Sequence, residues 1–263
     1  MKILLFLLIF LMGSISSVFS NIVVTNGLTH LHAGAGGSTI SGRIQLRNDG
    51  GKEERFLVYQ QDLLLSCSQE PDYKVLGSHN RSLGSWLKTN VDERVLKPDE
   101  SYEITYTITV PNNVVDLGTY WDMIMVEVGE PVSEKNAQGL TIQSKVRYGI
   151  QIITDIGVVE SPKLIFEKID FKKAEKEGES KTIQIKLRND GKFLAMSKIN
   201  LEIFDSVGEK IKVINGFQKK VYPGYCNDFD IELKDLPKGK YDGILVADNG
   251  KDLFGENVTI EID

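Results

Sequence analysis

The chain is short of cysteine, histidine and excess positive charge, and each shortage excludes a class of protein. Its 263 residues include two cysteines and three histidines. Two cysteines cannot form a disulfide scaffold or a four-cysteine zinc site. The net charge of −6 at pH 7 argues against nucleic-acid binding, because no surplus of lysine and arginine is present to neutralise phosphate.

Long apolar runs are also missing, except at the N-terminus. Residues 3–12 form an apolar stretch after Lys2, and small and polar residues follow up to Ser20. This arrangement is typical of a secretory signal peptide, and it is too short for a membrane-spanning helix, which needs about 20 apolar residues. We expect residues 1–20 to be cleaved, no membrane span in the mature chain, and a location in the periplasm or on the surface of a bacterium.

The two cysteines lie in different halves of the sequence, at Cys67 and Cys226. A bond between them would staple two domains together. We therefore expect two separate, mostly buried thiols, which behave as small apolar side chains, with a disulfide as the alternative. No histidine is near either cysteine in the sequence, so neither is predicted to be a nucleophile.

A repeated segment is the strongest internal signal. Residues 44–50 recur as residues 185–191, with six of seven positions identical. Each copy is an alternating strand that runs into an Asn-Asp-Gly turn, whose residues tolerate the backbone of a tight turn. A second repeat is a Gly-x-Tyr motif before an apolar strand, which places Tyr120 and Tyr241 in equivalent positions. In sandwich folds such a tyrosine returns its hydroxyl to nearby backbone, a feature called the tyrosine corner.

Short strands separated by turn residues, without a convincing amphipathic helix, predict an all-β chain. The residues after the leader are too many for one ordinary sandwich and fit two domains. We predict two tandem immunoglobulin-like antiparallel β-sandwiches, the first over residues 21–157 and the second over residues 162–263. Pro162 marks the join, because proline supplies no ladder donor.

No residue pattern predicts catalysis, a cofactor or a metal. The sequence has no Gly-x-Ser-x-Gly elbow and no His-Glu-x-x-His motif. His30 and His32 share a strand face, which we expect to be exposed rather than metal-binding. A hydrolase would require His79 or distant carboxylates to converge in a cleft. The sequence therefore predicts a protein that is not an enzyme, with no catalytic, cofactor-binding or metal-binding residues.

The order of motifs in the first half resembles the first immunoglobulin-like domain of two bacterial groups. These groups are the periplasmic pilus-assembly chaperones and the two-domain surface proteins that interact with WxL proteins. The resemblance rests on these motifs: Ile44-x-Leu46-x-Asn48-x-Gly50, Phe56-x-Val58-Tyr59, Ser85-Trp86-Leu87, Leu96-x-Pro98, residues 102–111 and Gly118-Thr119-Tyr120-Trp121. It implies a protein that binds a secreted or surface protein subunit, as a chaperone-like or surface-assembly factor.

The chaperone resemblance also implies that an edge strand of the first domain is added to the partner. Residues 145–153 are the candidate, with an apolar face at alternate positions from Val146 to Ile152. The opposite parity is predicted to be exposed and to bind the partner: Arg147, Gly149, Gln151 and Ile153. In that family a basic pair in the interdomain cleft holds the client's terminal carboxylate, and Arg147 is the candidate contributor.

The two tryptophans have two interpretations. Core packing is favoured for Trp86 and Trp121, and an exposed aromatic platform for a glycan or peptide is the alternative. The platform would make the protein a carbohydrate- or peptidoglycan-binding surface module, with cell-wall glycan as the partner. A structural surface spacer without a partner site is a third hypothesis.

Overall fold

The computed structural model describes residues 22–135, 141–172 and 180–262. The predicted signal peptide, residues 1–20, lies outside them. The described chain is made of β-strands, apart from a short 3₁₀ turn at Gly84–Trp86. Among the described residues, no helix is long and apolar enough to cross a membrane.

The first half forms two facing sheets. Its strands are β1 (Ile22–Val24), β2 (Thr29–Gly34), β3 (Thr39–Asn48), β4 (Glu54–Leu64), β5 (Asp72–Lys74), β6 (Leu87–Thr89), β7 (Glu93–Leu96), β8 (Ser101–Thr109), β9 (Gly118–Lys135) and β10 (Thr141–Ile156). One sheet has the order β1-β3-β8-β6, and the other has the order β2-β10-β9-β4-β5, with β7 also on β4. The pairings are antiparallel, apart from the parallel pairing of β2 with β10.

Alternate residues of the facing sheets fill the core of this half. Because successive side chains of a strand point to opposite faces, β8 buries Ile104, Tyr106 and Ile108 while the residues between them stay partly exposed. Ile124 and Val126 of β9 meet them from the other sheet in the same apolar cluster. The strict alternation in the sequence therefore becomes the inner face of a sandwich.

The second half repeats this arrangement with its own core. Its strands are β11 (Leu164–Lys172), β12 (Thr182–Asn189), β13 (Ala195–Phe204), β14 (Lys210–Asn215), β15 (Lys219–Val221), β16 (Cys226–Glu232), β17 (Gly239–Asp248) and β18 (Leu253–Ile262). The sheets have the orders β11-β12-β16 and β14-β13-β17-β18, with β15 also on β13. The predicted fold class, two tandem immunoglobulin-like sandwiches, is confirmed; the exact domain boundaries at residues 157 and 162 stay predictions.

The repeated turn is held by the same buried asparagine in both halves. Asn48 is fully buried, and its Nδ2 donates to the carbonyls of Lys52 and Leu96 at 2.7 and 3.0 Å. Asn189 is also fully buried, and its Nδ2 donates to two carbonyls at 2.8 and 3.0 Å. In each copy the Oδ1 accepts the amide of the turn glycine. The sequence repeat is therefore a repeat of one hydrogen-bonding device.

Both predicted tyrosine corners are present. The hydroxyl of Tyr120 donates to the carbonyl of Asp116 at 2.8 Å, and that of Tyr241 donates to the carbonyl of Pro237 at 2.9 Å. Each bond reaches back four residues, so it closes the turn that leads into the next strand. The repeat therefore extends from the turns to the corners.

Candidate partner-binding cleft

A disulfide joins the two halves of the chain. Cys67, which follows β4, is bonded to Cys226 at the start of β16, across a sequence separation of 159 residues. The expectation of two separate thiols was wrong, because the loop after β4 leaves the first sandwich and reaches the edge of the second. The carbonyl of Cys67 also accepts a hydrogen bond from the ammonium of Lys186 on β12.

Apolar side chains from both halves pack beside this bond. Trp121 of β9 and Ile153 of β10 lie in one buried cluster with Tyr222 of the second half. The ring centroids of Trp121 and Tyr222 are 4.8 Å apart. The indole Nε1 donates to the carbonyl of Leu63 at 3.0 Å, so the polar atom of the tryptophan is satisfied inside the joint.

The burial of the tryptophans decides between their two interpretations. Trp121 is only 1% exposed, so it cannot serve as a surface platform and the core-packing interpretation is correct. Trp86 is half-buried and packs against the first core, with its ring centroid 4.8 Å from that of Tyr120. The buried Trp121 offers no open aromatic face for a glycan to stack on, and the role of Trp86 stays a prediction.

Backbone bonds also connect the halves. The amide of Thr119, at the start of β9, donates to the carbonyl of Lys192 at 2.9 Å. The hydroxyl of Thr119 accepts the amide of Leu194 at 2.7 Å. The segment after the second Asn-Asp-Gly turn is therefore hydrogen-bonded to the first sandwich, and the region between the two halves beside this joint is called the cleft.

A half-buried lysine lies in this cleft. The ammonium of Lys220 donates to the hydroxyl of Thr29 at 2.7 Å and to the side-chain oxygen of Gln151. Tyr222 donates to the same oxygen of Gln151 at 3.4 Å. Burial lowers the pKa of Lys220. In the described part of the chain its hydrogen-bond partners are neutral, so this cation is suited to an incoming carboxylate.

A second basic group lies on the same sheet face. Glu127 of β9 is bound by two cations of β10: the ammonium of Lys145 at 2.6 Å and the guanidinium of Arg147 at 2.7 Å. These hydrogen bonds, that from Lys145 first, lower the pKa of Glu127 to about 2. The Glu127 side chain is 9% exposed, whereas both cations are almost half-exposed. Two cations on one anion leave one positive charge in excess.

The outer edge of β10 is only partly covered. Strand β2 pairs with residues 151–156, and within the described ranges no strand pairs with the outer edge of residues 145–150. The amide of Gln151 donates outward, to the carbonyl of Leu28 at 2.9 Å. Because backbone groups alternate between the two edges of a strand, Arg147 and Gly149 also point their amides and carbonyls outward, where none of the described strands pairs with them.

The apolar face of β10 continues along this open edge. Ile150 and Ile152 are fully buried in the first core, whereas Tyr148 is half-buried and Val146 is 43% exposed. The apolar stripe therefore runs out of its own core just where the backbone edge becomes open. Such a strand presents both unpaired backbone groups and alternate apolar side chains.

The structure separates the four residues predicted to bind a partner. Arg147 and Gly149 lie on the open edge, and their role in binding a partner stays a prediction. Gln151 lies in the segment paired with β2, and its side chain is bonded to Lys220 in the cleft. Ile153 is 1% exposed, so its predicted exposure was wrong: this parity faces the second half of the chain, which covers it.

The histidines of β2 are also less exposed than predicted. His30 Nδ1 and His32 Nε2 lie 2.6 and 2.8 Å from the hydroxyl of Tyr106, and both rings are half-buried. His30 Nε2 lies 2.9 Å from the carbonyl of Gly27. Burial, followed by the neighbouring His30, lowers the pKa of His32. The pair therefore connects β2 to β8 rather than forming an open polar face.

The condition set for a hydrolase is met only in part. Asp62, His79 and Asp122 do converge, with one ligand atom of each within 4.8 Å of the others. Both carboxylates are fully buried and the His79 side chain is 4% exposed, so the group lies beneath the surface rather than in a cleft. Burial, and then the adjacent Asp62, raise the pKa of Asp122 to about 8.

Sequence reasoning missed Lys220, Glu127 and Tyr222 as cleft residues. Lys220 and Tyr222 stand in a short segment that the sequence marks only as a turn before Pro223. Glu127 interrupts an apolar strand, and this interruption is a signal that could have been read. A single charged residue in such a strand predicts a partner on a neighbouring strand, here Lys145 and Arg147.

No family model matches the sequence, and no curated protein matches it. The chain is similar to solved structures of pilus-assembly chaperones. For the class 5 fimbriae chaperone CfaA the TM-score is 0.48 at 10% identity, covering 92% of this chain and 100% of that one. For a chain of the CsuC–CsuE chaperone–tip adhesion subunit complex of Acinetobacter baumannii, the TM-score is 0.48 at 11% identity, covering 90% of this chain and 98% of that one. For the YadV chaperone the TM-score is 0.45 at 12% identity, covering 91% of this chain and 99% of that one. The similar structures thus include the periplasmic chaperone group that the sequence resembles.

Proposed function

We propose that the protein binds an extended segment of another secreted polypeptide, which adds as a strand to the outer edge of β10. The observation that carries this proposal is the unpaired edge at residues 145–150, beside a segment of the same strand that β2 covers. The outward backbone groups of Arg147 and Gly149 would supply ladder bonds to the partner. No covalent bond is made or broken in this function, which is therefore not enzymatic.

The side chains that select the partner would be those of the even positions. Val146 and Tyr148 continue the apolar stripe beyond its own core, so they can pack against an apolar groove of the bound polypeptide. Arg147 and Gly149 would contribute backbone bonds instead, because the Arg147 side chain is bound to Glu127 and glycine has no side chain. This assignment divides affinity and selectivity between the two parities of one strand.

The cleft adds a site for negative charge. Gln151, which contacts Lys220, is four residues from Arg147, or about 13 Å along an extended strand. A partner segment that runs along the open edge would therefore reach Lys220 with its end. A terminal carboxylate fits this ammonium, because it would replace neutral partners with a charge-assisted hydrogen bond.

The oxidised state of the chain supports an envelope location for this function. A disulfide between the two halves persists in secreted and periplasmic proteins and is rare in the cytosol. The proposed partner is accordingly a secreted or surface protein subunit, and the proposed place is the periplasm or surface of a bacterium.

A pull-down from the native envelope tests the proposal. The tagged protein is compared with Val146→Arg, which places a charge on the apolar stripe, and with Ile165→Arg. The control Ile165 is matched in exposure, 42% against 43%, and lies on β11 of the second half. We expect a stoichiometric polypeptide with the parent protein and the control, and its loss with Val146→Arg.

Three outcomes would contradict the proposal. Capture that survives Val146→Arg would show that the open edge is not the binding element. An empty pull-down combined with binding to purified cell-wall glycan would favour the carbohydrate hypothesis, and no binding of either kind would favour the spacer. Lys220→Met tests the carboxylate site separately, and we expect this variant to capture the partner more weakly. Amidating the C-terminus of a partner peptide should weaken its binding to the parent protein but not to Lys220→Met.

A further inference from the structure

Three side chains that are distant in the sequence meet beneath the loop before β6. Asp62 is on β4, Asp122 is on β9, and His79 is in the segment between β5 and the 3₁₀ turn. One ligand atom of each lies within 4.8 Å of the other two. The carboxylates are 0% exposed and the imidazole is 4% exposed, so the group is shielded from water.

The two carboxylates lack enough donors for two negative charges. Asp62 accepts the amide of Ser78 at 2.6 Å, and Asp122 accepts the amide of Gly84 at 2.8 Å. The hydroxyl of Ser82 lies 2.7 Å from one carboxylate and 3.1 Å from the other, but it has a single proton to donate. Two carboxylates at this separation in a dry site require a proton or a cation between them.

The histidine is an independent pointer to a ligand. Its Nε2 is buried and has no hydrogen-bond partner in the structure, and it lies 3.9 Å from Oδ2 of Asp62. The ring is held in this direction by stacking on Trp121, with centroids 4.7 Å apart and planes 21° from parallel. A buried polar atom aimed at two carboxylates without bonding to either lacks a partner that a bound ion would supply.

We propose that Asp62, His79 and Asp122 bind one divalent transition-metal ion, with Zn²⁺ the best match. One imidazole and two carboxylates form a donor set that suits zinc, whereas Ca²⁺ takes six to eight oxygen ligands. The ion would neutralise both carboxylates, and Nε2, once its proton has moved to Nδ1, would gain a partner. Tetrahedral ligands at zinc distances lie about 3.4 Å apart, so the three side chains close in slightly when the ion binds.

Metal binding changes one existing bond. Nδ1 of His79 accepts the amide of Arg81 at 3.2 Å. Coordination through Nε2 places the ring proton on Nδ1, so the amide of Arg81 must give up this bond. The metal would in return fasten the segment around His79 to β4 and β9, directly under Trp121 and the joint between the two halves.

Titration with Zn²⁺ tests the site. The purified protein is treated with EDTA, dialysed, and titrated with ZnCl₂ in a calorimeter. We expect one ion per chain, and a rise in melting temperature of about 5–10 °C at a hundredfold excess over Kd. His79→Gln and Asp122→Asn should each weaken binding about 100-fold or more, whereas the exposed carboxylate variant Asp230→Asn should bind like the parent protein.

Thermal melting of each variant in EDTA, without metal, separates a loss of metal binding from poor folding. Asp122→Asn alters buried bonds, and His79→Gln removes the stacking on Trp121 and the acceptor of the Arg81 amide. Whichever variant melts cooperatively in EDTA carries the test, and the titration of the parent protein carries it if neither does. A change in the chemical shift of the Arg81 amide on adding Zn²⁺, measured by NMR, would support the assignment. No heat and no melting shift up to about 1 mM Zn²⁺ would overturn the proposal, as would unchanged binding in His79→Gln or equal binding of Ca²⁺.

Discussion

The two halves of the chain share their turns and corners but differ in the environment of their last strands. Asn48 and Asn189 make matching sets of hydrogen bonds, and Tyr120 and Tyr241 close matching corners. In the first half, however, β10 is covered by β2 over only part of its outer edge and carries two cations on the open part. In the second half β18 carries acidic side chains, among them Glu256 and Glu261.

This difference separates fold from function. Features present in both halves close turns and fix strand registers, and any sandwich of this kind needs them. The first half differs in β10, where Lys145 and Arg147 bind Glu127 and the apolar stripe continues along the open edge to Val146; this combination is not needed to build a sandwich. The proposed binding function therefore rests on the first half, with the second half supplying Lys220.

The largest expected effect comes from cutting the link between the halves. Replacing Cys67 and Cys226 by alanine releases a loop of 159 residues, and we expect a loss of about 2–5 kcal/mol in the free energy of unfolding. Urea unfolding of the double variant should show two separate transitions, one for each half. A single transition with an unchanged midpoint would mean that the Trp121 cluster and the hydrogen bonds of Thr119 and Lys220 couple the halves without the disulfide.

The asparagine pair gives the next largest effect and tests the equivalence directly. Asn48→Ala and Asn189→Ala each leave two carbonyls without a donor and the amide of the turn glycine without its side-chain acceptor, and we expect about 3 kcal/mol of destabilisation from each. Denaturant unfolding of the two variants measures this. Values that differ by more than about 2 kcal/mol would show that the sequence repeat hides different mechanical roles.

The tyrosine pair gives the smallest effect and should reveal an asymmetry. Tyr120 is 6% exposed whereas Tyr241 is half-buried, and each donates one hydrogen bond. We expect Tyr120→Phe to cost about 1–1.5 kcal/mol and Tyr241→Phe about 0.5 kcal/mol, because water replaces the lost partner more easily at the exposed corner. Thermal melts compare the two variants. A larger loss for Tyr241→Phe would contradict this ranking.

The sequence was most informative where cause and effect are local. The Asn-Asp-Gly turns, the tyrosine corners and the alternating strand of β8 depend on neighbouring residues, so their patterns are visible without a structure. The alternation of β10 was also visible. The sequence did not show which part of the outer edge of β10 stays open. This depends on the pairing of β2 with β10, in which Thr29 lies beside Gln151, more than a hundred residues away in the sequence.

The candidate site was less predictable for the same reason. Lys220 and Gln151 come from different halves, and so do Cys67 and Cys226. Asp62, His79 and Asp122 come from a strand, a loop and another strand, at spacings that match no local motif. Ile153 has the parity of an exposed residue, yet the second half covers it. The contacts between the halves depend on how the two sandwiches meet, and the meeting of Asp62, His79 and Asp122 depends on the path of a loop within the first half. Strand patterns encode neither.

The disulfide has a consequence for the order in which a secreted chain matures. Chains cross a membrane N-terminus first, so Cys67 would enter an oxidising compartment before Cys226, with 159 residues of sequence between them. At synthesis rates of about 5–20 residues per second, this thiol waits on the order of ten seconds or longer for its partner. During that interval the first sandwich can fold alone. With two cysteines in the chain, the bond has no competing intramolecular pairing. It can form only after the segment that carries Cys226 has crossed the membrane.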